Sequence, residues 1–179
     1  GFIFLLIVLN INQLYLIIPE EFSVGLFVVF IISIAKLYDS LLGSNNAILF
    51  NSDYYRIVLV LGIILVILMV LLNIVFIPLL GINGAALATF LAVFFYNSIK
   101  LFFVYKKFKI LPFTANTFKI GCFIFLGVVA FYFWDFPFHP IINIGLKSLL
   151  IGLVYLFFVY AFNFSEDISA LINKLLKRK

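Results

Sequence analysis

The chain has 179 residues, 66% of them hydrophobic and 11% charged, with a formal net charge of +5. An apolar excess of this size excludes a water-soluble globular fold, and with it a soluble enzyme. A hydrocarbon layer about 30 Å thick, crossed by about 20 apolar helical residues, accounts for it.

Six apolar runs follow in chain order. The first covers 2–18 and closes on Pro19, Glu20 and Glu21. It starts at once from Gly1, without a basic leader segment or a small-residue cleavage site, and so reads as a span of a longer chain's C-terminal part rather than a signal peptide. The second runs over 22–42, with a possible extension to 50, into the polar loop of 43–56. The third, 57–77, is expected to stop at Pro78, because proline cannot donate to the helical ladder. A turn at LLGING leads to the fourth, 85–105, which ends on Lys106, Lys107 and Lys109. The fifth, 118–134, precedes DFPFHP, and the sixth covers 141–162. All six must be helical, since in lipid each backbone group is satisfied within its own segment, and the runs lack the alternation of a barrel strand. The expected fold is therefore all-α, a polytopic bundle of about six membrane helices.

Basic residues lie at span ends, where they serve topology rather than nucleic-acid binding. Arg56, the Lys106–Lys119 connection and the tail with Lys174, Lys177, Arg178 and Lys179 share one side; the three opposite loops hold no Lys or Arg. Both chain ends are then expected on the cytoplasmic side. In the tail, Ser165 suits a helix N-cap before Glu166 and Asp167. Ile168, Leu171, Ile172 and Leu175 follow at helical spacing, so 164–179 reads either as an amphipathic helix on the membrane surface or as a solvated basic tail.

No metal-ligand cluster, nucleophile–base pair or phosphate loop stands out, and no cofactor is implied. The one cysteine, Cys122, reads as a small core residue, and His139 as a loop residue between prolines. Polar residues inside spans carry more information. Lys36 and Asp39 are three apart, on one helical face where they can pair. Intramembrane charge marks either a water-filled cavity, here for an anionic headgroup, or a structural pair with Lys36 snorkelling to the boundary. Asn10 and Gln13, on one face of the first span, fit a passage for sugar hydroxyls or interhelical hydrogen bonds equally. Asn73 and Asn97 fit packing better, and Lys100 fits snorkelling. Gly84 with Ala88, and Ala85 with Thr89, bring helices close, and Gly81 and Gly84 suit a sharp turn. Pro78, Gly81 and Gly84 are thus the expected structural hairpin.

The segments AKLYDSLLGSNNAILFNSDYYR (35–56) and LNIVFIPLLGINGAALATFLAVFFYNSIKLFFVYKKFKI (72–110) resemble the C-terminal half of polysaccharide flippases (Wzx-like) of the multidrug/oligosaccharidyl-lipid/polysaccharide exporter superfamily. The strongest likeness is 72–89, which follows the pattern N-x-x-x-I-P-x-x-G-I-x-G-A-A-x-A-T. The resemblance implies a two-lobed transporter of which this chain supplies the last six spans. On that basis 1–109 is a four-helix part of the second lobe, 110–163 two appended helices and 164–179 the cytoplasmic tail. Implied partners are a lipid-linked oligosaccharide, the bilayer of a bacterial cell membrane and an N-terminal lobe not present in this chain. The implied mechanism is alternating access, in which cavity cations hold a pyrophosphate; by charge and depth Lys36 is the candidate, and Arg56 a second at the cytoplasmic mouth. Two other readings are a Na⁺- or H⁺-coupled multidrug exporter, for which Asp39 is the available acid, and a non-transporting scaffold subunit.

Overall fold

A computed structural model describes residues 1–43 and 45–162, the side chains of Ser23 and Asn46 excepted. The described residues are helical, with no strand among them. The expected tail helix at 164–179 lies outside the described residues. In order, the helices are α1 (Phe2–Tyr15), a 3₁₀ segment (Glu20–Gly25), α2 (Leu26–Leu41), α3 (Asn45–Phe50), α4 (Tyr55–Leu80), α5 (Ile82–Phe108), α6 (Ala115–Phe131) and α7 (Pro140–Ala161). Three of them, α4, α5 and α7, are long and apolar enough to cross a membrane.

Local chemistry sets the boundaries and corrects the sequence reading at several points. The run expected to continue from 22 toward 50 is divided, because Gly43 takes φ 54° and separates α2 from α3. Pro78 does not end α4, which continues to Leu80. So close to the C-terminus, proline removes one ladder bond, and the Gly81 amide still reaches the Ile77 carbonyl. Thr114 and Thr117 cap α6 reciprocally, each backbone amide donating to the other's hydroxyl. His139 caps α7 through Nδ1, which accepts from the Ile141 amide, with Pro140 in the first turn. Cys122 is exposed on α6 rather than in a core; the buried position of that helix is Ile124.

The chain divides into two compact units, Gly1–Glu20 with the chain from Phe118 on, and Glu21–Thr117. This grouping differs from a boundary near 110: α1 packs with α7, whereas α2, α3 and α4 pack on α5. In the second unit α4 and α5 form an antiparallel hairpin about 39 Å long at 1.5 Å per residue. A single residue turns the chain, Gly81, with φ 57° and ψ −132°. The two helices touch at Gly84, where an added Cβ would fall on the backbone carbonyl of Phe76. Ala88 and Ala92, at four-residue intervals beyond it, are fully buried, so small residues set the helix separation. The far side of α4 is the reverse case: Leu59, Val60, Ile63, Val66, Ile67 and Ile74 are all exposed, a surface that suits lipid and not water.

Candidate functional site

The second unit holds a cavity of about 180 Å³ between α2, α4 and α5. Ile32, Ala35, Lys36 and Asp39 line it from α2, Leu65 from α4, and Thr89, Val93, Tyr96 and Asn97 from α5. Ala35 is buried at the contact, which turns Lys36 and Asp39 along the rim, both exposed. The two do not pair: no ion pair within 4.0 Å joins them among the described residues. A basic residue N-terminal to an acid is the poorer helical arrangement. The carboxylate instead turns to α5, where Asn97 Nδ2 donates to Asp39 Oδ1 at 2.9 Å. Asn97 is 1% exposed, and its Oδ1 is buried without a partner. A second α2–α5 contact lies beside it, between the hydroxyls of Tyr38 and Ser98 at 2.9 Å.

Lys100 completes this cluster and departs from the snorkelling expected of it. It is 2% exposed, its Nζ stands 4.1 Å from the Tyr96 ring centroid, and it lies within coulombic reach of Asp39. The Tyr96 ring covers it, an arrangement that attracts an ammonium by the ring quadrupole. The wall thus carries one open cation and one carboxylate held in place by an amide, with a concealed cation against the Tyr96 ring beside it.

The first unit gathers polar groups differently. Asn10, buried on α1, donates through Nδ2 to the Leu6 carbonyl at 2.9 Å and to Ser148 Oγ of α7 at 3.0 Å. Gln13 is buried on the same helix. Asn12 Oδ1 accepts from the Tyr132 hydroxyl at 3.5 Å. On α7, Asn143 donates to the Phe136 carbonyl at 3.0 Å. Lys147 Nζ meets Asp135 Oδ1 at 2.9 Å, with side-chain exposures of 3% and 34%. The Asn10 amide thus joins α1 to α7.

Arg56, the remaining candidate, is exposed at the start of α4. Its Nε donates to the Tyr55 hydroxyl at 3.3 Å, and its guanidinium carbon lies 5.8 Å from that ring. It does not line the cavity of Lys36 and Asp39. Asn73 bonds within its own helix, to the Met69 carbonyl at 2.8 Å. The pair Asp135–Lys147 was not singled out from the sequence. Its signal was present: Lys147 is the one charge inside the run 141–162, and Asp135 is the acid of the preceding turn.

Comparison with known protein families, curated proteins and solved structures returns no match to this chain.

Proposed function

We propose that the chain forms part of a membrane transporter that moves a lipid-linked oligosaccharide, a polyprenyl-pyrophosphate glycan, across a bacterial cell membrane by alternating access. One observation carries this reading: Lys36 and Asp39 stand uncovered on a cavity wall, which the proposed crossing of α5 would put at hydrocarbon depth. Val93 shares that wall and lies about 17 Å along α5 from the Gly81 turn, near the middle of a layer about 30 Å thick. Ionisable groups at that depth face water or another helix bundle, not lipid. The face of α2 and α5 that carries them is therefore turned to an aqueous passage or to a further lobe. The likeness of 72–89 to the flippase hairpin supports the same assignment.

The residues present suit an anionic cargo group. Lys36 offers a free ammonium for a pyrophosphate, Lys100 adds positive potential behind it, and Asn97 holds Asp39 aside by hydrogen bonding. The glycan crosses in the passage while the polyprenyl tail stays in the bilayer. Six crossings belong to this proposal. Because α1, α2 and α6 are about 21, 24 and 26 Å long, each requires flanking residues or local thinning of the bilayer to complete a crossing. The proposed cytoplasmic side is the one that carries Arg56, Lys106, Lys107 and Lys109.

A second reading rests on one specific feature. Asp39 and the unpartnered Asn97 Oδ1 are oxygen donors on the cavity wall, as a cation-coupled exporter requires. Lys36 on that wall, and Lys100 beside the Tyr96 ring, oppose it by charge. The deciding experiment measures polyprenyl-pyrophosphate glycan on each membrane face in a strain deleted for the intact gene, restored with wild type or Lys36→Ala. Cytoplasmic accumulation relieved by wild type and not by the variant supports the flippase. Unchanged glycan with altered drug sensitivity moves the assignment to the exporter. Full activity of Lys36→Ala would remove the cavity lysine from the mechanism, as the scaffold reading expects.

A further inference from the structure

The other end of the α4–α5 hairpin, remote from Gly81, carries a surface outside the cavity of Lys36 and Asp39. Arg56 opens α4, and Lys106, Lys107 and Lys109 close α5; the antiparallel pairing brings them to one end. Three of these cations stand over tyrosine rings. Lys107 Nζ is 5.1 Å from the Tyr54 centroid, Lys109 Nζ is 5.6 Å from Tyr105, and the Arg56 guanidinium is 5.8 Å from Tyr55. Tyr54 in turn packs edge-on against Phe103 and Phe108. Beneath them Leu49, Val58 and Val104 form a buried apolar cluster that joins α3, α4 and α5. The cations are thus held on a packed platform and not on free loops.

Among the described residues no ion pair neutralises their charge. Asp53 is the acid of this end, and no ion pair within 4.0 Å joins it to any of the four among the described residues. Arg56 spends only Nε on Tyr55, which leaves its terminal nitrogens to donate, and the Tyr55 hydroxyl keeps its own proton for an acceptor.

Length fixes where this platform sits in a bilayer. Arg56 and Lys106 lie about 36 Å along their helices from Gly81, more than the hydrocarbon thickness of about 30 Å. The Gly81 end carries no charge and exposes Leu79, Leu80 and Ile82. The excess length therefore falls at the cationic end, which stands at the level of lipid phosphates. We propose that this platform is a docking site for the headgroup of an anionic phospholipid, with Lys107, Lys109 and Arg56 on the phosphate and the tyrosine rings against the glycerol region. It holds whether or not the cavity carries a glycan, since it uses different residues.

The test places the full chain in nanodiscs of phosphatidylcholine with or without phosphatidylglycerol and counts retained lipids by native mass spectrometry. Wild type is expected to retain phosphatidylglycerol about tenfold over phosphatidylcholine. The exposed pair Lys107→Gln with Lys109→Gln is expected to bring that preference below about twofold, and the charge-preserving Lys107→Arg with Lys109→Arg to keep most of it. Lys119→Gln, a basic residue that stands over no tyrosine ring among the described residues, is expected to leave it unchanged. An unchanged preference in the Lys107/Lys109 glutamine variant, or an equal loss in Lys119→Gln, would overturn the site. Displacement of the lipid by millimolar inorganic phosphate would also overturn it, since it would mark a site for free anions.

Discussion

The two units use the polar residues of their apolar helices in opposite ways. In the first, Lys147 is buried and closed by Asp135, and Asn10 is joined to Ser148, so the polar groups face one another. In the second, Lys36 and Asp39 lie three residues apart on one helix and do not pair: Asp39 accepts from Asn97, and the Lys36 ammonium stays open on a cavity wall. A charge that a protein closes off contributes to packing; a charge left open at depth needs a partner from outside the unit. Exposure and pairing, rather than the mere presence of a charge in an apolar run, separate the two roles.

The largest expected effect tests the frame on which the open charges stand. Gly84→Ala places a methyl group on the Phe76 carbonyl, a backbone atom that cannot rotate away. A cost of about 3 kcal/mol in stability follows, with parting of α4 from α5, read as a fall in the thermal midpoint of the purified chain in detergent. Gly62→Ala is the control: it meets nothing within 4 Å and should leave the midpoint in place.

Next comes the closed pair. Lys147→Ala removes a buried ammonium and leaves Asp135, about one-third exposed, partly solvated. About 2 kcal/mol is expected, below the range for a fully buried pair because water can reach the carboxylate. Asp135→Asn should act in the same direction, and Lys147→Met with Asp135→Leu should recover much of the loss. Lys36→Ala breaks the comparison if it behaves likewise. Its side chain touches no acid among the described residues, so its stability change should stay within about 0.5 kcal/mol while the proposed transport falls. A large loss of stability with transport intact would make the open charge a structural one after all.

Much of the fold was legible because its signals are local. Apolar runs located α4, α5 and α7, and the glycines of 81–84 located the hairpin, since a positive φ and a close approach both demand glycine. The boundary near Gly43 was less legible, as a continuous apolar run does not show where the backbone must turn. The site was half legible. Spacing put Lys36 and Asp39 on one face, but the choice of Asn97 as the carboxylate's partner depends on α5, fifty-eight residues away in sequence. Lys100 looked like a terminal lysine near the end of an apolar run. Tyr96 stands four residues before it on α5, a spacing open to a sequence reading; the burial of Lys100 beside α2 was not.

The smallest expected effect is also the sharpest probe of the first unit. Asn10 donates to both Leu6 and Ser148, so Ser148→Ala leaves its amide satisfied within its own helix. An interhelical hydrogen bond of this kind contributes about 0.6 kcal/mol in a membrane protein, because the separated helices find other partners. Ser148→Ala should therefore lower stability by about that amount, and Asn10→Leu by little more, as it removes the unpartnered Asn10 Oδ1 together with the donor. Additivity between Ser148→Ala and Lys147→Ala, measured by a double-mutant cycle, would show that the seam is a set of separate contacts. A coupling above about 1 kcal/mol would make it one cooperative network, in which Lys147 is held by the α1–α7 contact as well as by Asp135.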